Sequence, residues 1–316
     1  VLKQVTEVCE LLDDPGIGGG RVAELLKSRG LEHVDSYPIA GERGTTDFVR
    51  ALIPGVRGKI SGGSAPTLGI VGRLGGVGAR PERIGIVSDA DGAIAAIACA
   101  LKLADMRRRG EVLAGDVIAA THVCPRSPVV AHEPVPFMGS PVSMKQMNEH
   151  EVSPAMDAIL SVDATKGNRI INGRGVAITP TVKQGYILRV SEDLLDILGW
   201  TTGRLPRVVP VTTQDITPYG NGLYHLNSIL QPATATAAPV VGVALICETA
   251  VPGCAGGANQ EADLDEACRF CLEVAKAFTA GKCRFYDERE FRTIVGLYGS
   301  LEFLQTPGRQ AEEGTP

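Results

Sequence analysis

The sequence predicts an α/β protein, a three-layer αβα sandwich around a mostly parallel mixed sheet, and three observations point there. Short apolar stretches alternate with helical patterns along most of the chain, the order of a sheet covered on both faces. Residues 240–246 are an uninterrupted apolar run, as a strand buried on both faces requires. Residues 92–109 form a long alanine-rich helical pattern preceded by aspartates suited to its cap. The 316 residues suffice for one large domain, and no internal repeat or linker divides them. We expect a single domain over 1–305 and a flexible, apolar-poor tail over 306–316.

Two helices open the chain, at 2–12 and 21–28, separated by a Pro- and Gly-rich turn at 13–20. β-rich stretches follow at 47–53, 68–71 and 84–87, then the alanine-rich helix. Further strands are expected at 116–122, 158–162, 175–178, 186–190 and 207–211, with a helix at 192–198. The apolar strand at 240–246 precedes a helix at 262–280. Cys268-x-x-Cys271 looks like a redox or zinc motif, but Leu264, Ala267, Cys268, Cys271, Leu272, Ala275 and Phe278 recur at helical spacing. Both thiols therefore belong to an apolar helix face. Residues 124–154 carry prolines at 125, 128, 134, 136, 141 and 154, and Met138, Met144, Met147 and Met156, four of the five methionines, lie between 138 and 156. Ordered loops of this length tend to be functional, and we expect a lid or a subunit contact in a homo-oligomer.

Composition excludes several classes. Hydrophobic residues are 44% and charged residues 21% of the chain, which rules out a disordered polymer. A net charge of −5, with no basic block longer than Arg107-Arg108-Arg109, leaves no footprint for nucleic acid or an anionic membrane. No apolar run approaches the ~20 residues of a membrane span. The N-terminal residues do not read as a secretory leader, and the eight cysteines read as reduced core thiols, so a cytoplasmic location is expected.

Gly75-Gly76-Val77-Gly78 invites a nucleotide-binding reading, but the Arg80-Pro81-Glu82-Arg83 that follows leads into another β-like run instead of a helix. More informative are polar residues where apolar strands end, the edge at which α/β proteins assemble ligand sites. Arg73 follows one strand, Asp89 and Asp91 precede the long helix, His122 ends another strand, and Asp163, Thr165 and Lys166 end a third. Each has a plainer explanation: Asp89 or Asp91 as a helix cap, Asp163 with Thr165 and Lys166 as a local turn, His122 as a satisfied core histidine. Asp215 and His225, in a Gly- and Tyr-rich stretch, are further candidates for ligand binding.

The order Ala51-Leu52-Ile53-Pro54-Gly55, Ala65-Pro66-Thr67-Leu68, Asp89-x-x-Gly92, Gly115-Asp116-Val117-Ile118 and Val162-Asp163-x-Thr165 resembles the co-catalytic di-zinc exopeptidases and deacylases. Nearly the whole chain also resembles an uncharacterised prokaryotic family, domain-of-unknown-function family 1177. That likeness runs through Val87-Ser88-Asp89-Ala90-Asp91-Gly92-Ala93, residues 212–225 and Ile229-Leu230-Gln231-Pro232-Ala233-Thr234-Ala235. The di-zinc resemblance implies Asp89 as the bridging aspartate and Asp163 as the strand-end aspartate. Arg73-Leu74-Gly75 replaces the first His-x-Asp, the segment around His122 and Cys124 replaces the glutamate pair, and no histidine follows His225. An intact di-zinc site is not expected; one divalent metal on Asp89, His122 and Asp163 is the most the residues suggest. Arg73 is expected to enter the vacated space and offset Asp89 and Asp163.

Two functions follow as expectations. One is a hydrolase-like or lyase-like enzyme acting on a small amide or amino-acid-derived metabolite, with Asp89, Asp91, His122 and Asp163 catalytic and Arg73, Thr165, Lys166, Asp215 and His225 contacting substrate. The other is a catalytically inactive, exopeptidase-like binding or regulatory protein.

Overall fold

The computed structural model describes residues 1–14, 16–78, 85–254 and 260–308. Its centre is a parallel block of four strands, β3 (Leu68–Gly72), β4 (Val117–Val123), β7 (Ala158–Thr165) and β11 (Val240–Ile246), in the spatial order β4-β3-β7-β11. Burial on both faces explains why these strands read as continuous apolar runs. Antiparallel strands extend the block on both sides. β1 (His33–Gly41) and β2 (Gly44–Ile53) form a long hairpin whose second strand pairs with β4. β8 (Gly175–Ile178) and β9 (Val182–Lys183) pair with β11, and β10 (Tyr186–Ile187) pairs with β9. The sheet is thus mixed, with parallel pairing confined to its centre.

One face is covered by α1 (Leu2–Leu12), α2 (Gly19–Ser28), α3 (Asp91–Arg108), α5 (Glu192–Thr202) and α6 (Glu261–Thr279), whose apolar residues share a core with Ile70, Ala119, Leu160 and Val243. α3 lies between the sheet and the other helices and is buried nearly all round, which accounts for its run of alanines. Cys268 and Cys271 face this core beside Cys99. The opposite face buries Val71, Ala120, Ile159 and Ala244. It is covered by α4 (Met144–Glu151), 3₁₀ turns at Gln214–Ile216 and Ser228–Thr234, and loop. α7 (Glu288–Tyr298) is followed by a 3₁₀ turn at Glu302–Gln305, and the residue it buries is Phe291.

Several expectations are corrected. Residues 33–41 form a strand although their pattern is polar, because β1 is an edge strand with Pro38 tolerated at the rim. Residues 207–211 contribute one isolated bridge, Ile178 to Val208, in place of a strand. Of the stretch at 84–87, Ile84 lies outside the described residues and Ile86 makes a single bridge to Val77. Arg80-Pro81-Glu82-Arg83 and the tail from 309 lie outside them as well. The segment 124–154 is partly ordered into secondary structure, a hairpin of β5 (Val129–Val130) and β6 (Phe137–Met138) followed by α4. Its methionines are buried or partly buried. Met147 and Met156 are buried, Met144 and Met147 pack around Phe48, and Met138 packs on Val87. They do not supply the exposed apolar surface on which a subunit contact was expected.

Candidate functional site

The chain leaves β3 through α3 to β4 on one side, whereas β7 leads to β11 on the other. The junction between β3 and β7 is therefore a topological switch point, where parallel sheets leave a crevice at their carboxyl ends. Arg73 N–H donates to the Val162 carbonyl across this junction (2.8 Å). The first turn of α3 sits directly on it. A methyl group on Gly92 would lie 2.5 Å from the Val162 oxygen and also collide with the Arg73 carbonyl, so this approach needs glycine.

Side-chain alternation along the strands decides which residues meet. Val71, Ala120 and Ile159 face the loop-covered side, and Arg73, His122 and Asp163 follow them at even spacing on that same side. Asp163 is 2% exposed. Its Oδ2 accepts from the Ser228 hydroxyl (3.2 Å) and its Oδ1 is buried without a hydrogen-bond partner. Burial, and next the negative charge of Asp89, push the Asp163 carboxyl up to about 7, against the pull of Lys166, Arg73 and Ser228. Asp89, in the 3₁₀ turn Ser88–Ala90, is paired with the Lys166 ammonium at 2.8 Å. Lys166 keeps 22% of its side chain exposed, the most open member of the group.

The hairpin of β5 and β6 lies over these residues. Phe137 places its ring 5.0 Å from Lys166 Nζ, a cation–π contact. Gly253 N–H donates to the Pro136 carbonyl, and Ser88 Oγ donates to the Pro252 carbonyl. Segments 136–138 and 252–253 thus form a roof over Asp89.

Arg73 is 1% exposed, but it does not take the place expected for it. Its guanidinium pairs with Glu151 (2.5 Å) and Asn148 (3.2 Å) of α4 and touches the Met144 sulfur. The cation beside Asp89 is Lys166. Arg73 reaches Asp163 only through the longer-range field of its charge. Glu151, 0% exposed, also bonds His122 Nδ1 at 2.5 Å, while His122 Nε2 accepts from Gly75 N–H at 3.3 Å. Both ring nitrogens of His122 are thereby engaged, which leaves no lone pair for a metal. With Asp89 held by an ammonium, Asp89, His122 and Asp163 do not fit one divalent ion, and still less a di-zinc centre. Among the described residues no group of three or more His, Cys, Asp or Glu is arranged to hold a metal.

The remaining candidates separate. Asp91 occupies the first turn of α3, and its charge acts on Cys9 and Cys247. The α3 N-cap itself is Ala90, without a side-chain cap bond. Thr165 is the buried last residue of β7, in register with Ile246. Asp215 is a structural clasp: its carboxylate accepts from Thr212 N–H and hydroxyl and from the N–H groups of Leu226 and Asn227, all at 2.7–2.9 Å. No oxygen is left over to contact a substrate. His225 is held by Thr217 and by the Leu223 carbonyl in the same loop. It joins the strand edge only indirectly, through a buried chain in which Asn148 donates to the Gln231 carbonyl and Gln231 to the Thr217 carbonyl.

Glu151, Asn148 and Ser228 are the site residues that the sequence reading missed. A signal for the first two was present. Ser143-x-x-Gln146 is a capping box, formed reciprocally in the structure, and it starts the helix that delivers Asn148 and Glu151.

A family model described as protein of unknown function (DUF1177) matches residues 38–308. The chain belongs to that family. The match begins within β1, so α1 and α2 lie outside it although they pack into the main core. Every residue of the strand-edge cluster lies inside it. No curated protein matches the chain.

Proposed function

We propose that the crevice between β3 and β7 is the active centre of a hydrolase-like or lyase-like enzyme acting on a small amide or amino-acid-derived metabolite. One observation carries the reading: Asp163 is buried at the switch point with one oxygen unpartnered and its carboxyl poised near neutrality. Perturbed carboxyls of this kind, placed where a fold collects ligands, are candidate proton carriers. Asp163 in its protonated form would give its proton to a leaving nitrogen or oxygen, and as carboxylate would take one from an attacking water or an acidic C–H. Ser228 orients the carboxyl. Lys166, held by Asp89 and the most exposed of the group, would contact an oxygen of the substrate, and the roof at 136–138 would exclude water while it is bound. Arg73, Glu151 and His122 position the strand ends and do not touch the substrate.

The accompanying proposals are a cytoplasmic homo-oligomer with a small-molecule ligand and neither nucleic acid nor membrane as partner. The acidic balance and the absence of basic blocks support the exclusion of nucleic acid and an anionic membrane, and eight free cysteines support the cytoplasmic location. Among the described residues no helix is long and apolar enough to cross a membrane.

A panel of N-acyl amino acids and amino-acid amides, assayed with the wild type and with Asp163→Asn, tests the reading. Turnover by the wild type should fall at least 100-fold in the variant, the scale of a lost general acid or base. Turnover that survives the substitution would refute it. A second reading, a binding or regulatory protein, is favoured by the deep burial of Asp89 and Asp163. Saturable binding of panel members with no turnover would select it.

A further inference from the structure

A large open groove lies at the opposite end of the central strands from Asp163 and Lys166, although one wall reaches Met144 and Asn148, which contact Arg73. Its volume is about 1440 Å³, and it runs past Met156, Asp157 and Pro239, at the amino ends of β7 and β11. Lys166, just beyond the other end of β7, is set about 25 Å from its amino end by the eight residues of the strand. The groove exceeds the volume that drug-sized ligands usually fill. Its walls carry Tyr219, Phe278, Tyr286 and Lys183.

Lys183 is the unusual member. Its Nζ donates to the Ala237 carbonyl (2.5 Å) and lies 5.4 Å from the Tyr286 ring centre and 5.2 Å from that of Phe291. Among the described residues it makes no ion pair. The neighbouring carboxylates are engaged elsewhere, Glu288 with Arg292 and Glu302 with Gln184. An ammonium has three donors, so two remain beyond the bond to Ala237. Burial outweighs the field of Glu288 and Glu302 and lowers the Lys183 pKa, the mark of a cation short of a counter-ion. An aromatic wall beside an uncompensated ammonium is complementary to a flat ring that carries an anionic group.

We propose that this groove is a second ligand site, for an aromatic carboxylate or sulfonate whose anion pairs with Lys183 while its ring packs against Tyr286. The proposal stands independently of the reading of the strand-edge site.

The probes are 1-anilinonaphthalene-8-sulfonate, followed by fluorescence, and salicylate with its uncharged analogue salicylamide as competitors. Saturable sulfonate binding to the native protein is expected, displaced by salicylate and not by salicylamide. Lys183→Gln should weaken it about tenfold or more, as loss of a charge-assisted bond implies, and Lys183→Arg should largely restore it. Lys282→Gln, which removes a lysine outside the groove lining, should leave it unchanged. Equal displacement by salicylate and salicylamide, or equal binding by the wild type and the Lys183→Gln variant, would overturn the proposal. If Lys183→Gln fails to fold by thermal melting, the salicylate and salicylamide comparison on the wild type decides alone.

Discussion

Replacing Arg73 tests the central claim about how the strand edge is held. Arg73 and Glu151 are 1% and 0% exposed, so removing the guanidinium leaves a buried carboxylate with His122 as its remaining charged-capable partner. Breaking a buried pair from one side costs about 3–5 kcal/mol, because the orphaned charge keeps its full desolvation penalty. Arg73→Ala would add a packing loss from the stem beside Met144 and Met147. Arg73→Met keeps most of that volume and isolates the charge term. Urea unfolding should show a lower midpoint at unchanged slope. Arg73→Met combined with Glu151→Gln, which leaves no buried charge in the pair, should be more stable than Arg73→Met alone. A loss under about 1 kcal/mol, the scale of an exposed pair, would refute the reasoning, as would strictly additive losses in the cycle.

Asp163 makes stability depend on pH with a definite sign. Its folded pKa is raised from 3.8 to about 7, so between those values the folded protein holds a proton that the unfolded chain has lost. Its contribution is fully present below pH ~4 and is lost as pH rises to about 7, by roughly 4 kcal/mol. Comparing the pH dependence of unfolding in the wild type and Asp163→Asn isolates this slope, and equal slopes would discount the raised pKa. Gly92→Ala drives a methyl group into the Arg73 and Val162 carbonyls, and a loss of about 1–3 kcal/mol or more is expected from overpacking that only backbone movement relieves. A fully stable alanine variant would show that α3 does not sit this close. Asp215→Ala leaves two buried or part-buried N–H groups and the Thr212 donors unmatched, so thermal unfolding should show a loss of about 2 kcal/mol or more. If Asp215 instead contacts substrate, the variant would lose ligand binding at unchanged stability.

Local periodicity made much of the frame legible. Helix 2–12 was readable to its last residue, and the apolar strands at 68–71, 158–162 and 240–246 fall within observed strands, because burial on one or both faces imprints a spacing on neighbouring residues. The principle that ligands gather at strand ends also assigns Arg73, Asp89, His122, Asp163 and Lys166 to one edge from the chain alone. β1 stayed hidden because an edge strand buries little and its side chains carry no apolar alternation.

Who pairs with whom was decided only by the tertiary structure. Arg73 meets Glu151 across 78 positions and Asp89 meets Lys166 across 77, and no spacing rule links residues so far apart. Position alone made Arg73 the natural partner of Asp89, but α4, packed across the end of the sheet, presents a buried carboxylate that needs a cation, and Arg73 lies beneath it. Lys166, just beyond Asp163 in the chain, is then left for Asp89. The raised pKa of Asp163 has the same origin. Its residue type and strand are read from the sequence, but the burial and the Asp89 charge that raise its pKa depend on elements far along the chain, the turns at Ser88–Ala90 and Ser228–Thr234, packing against β7.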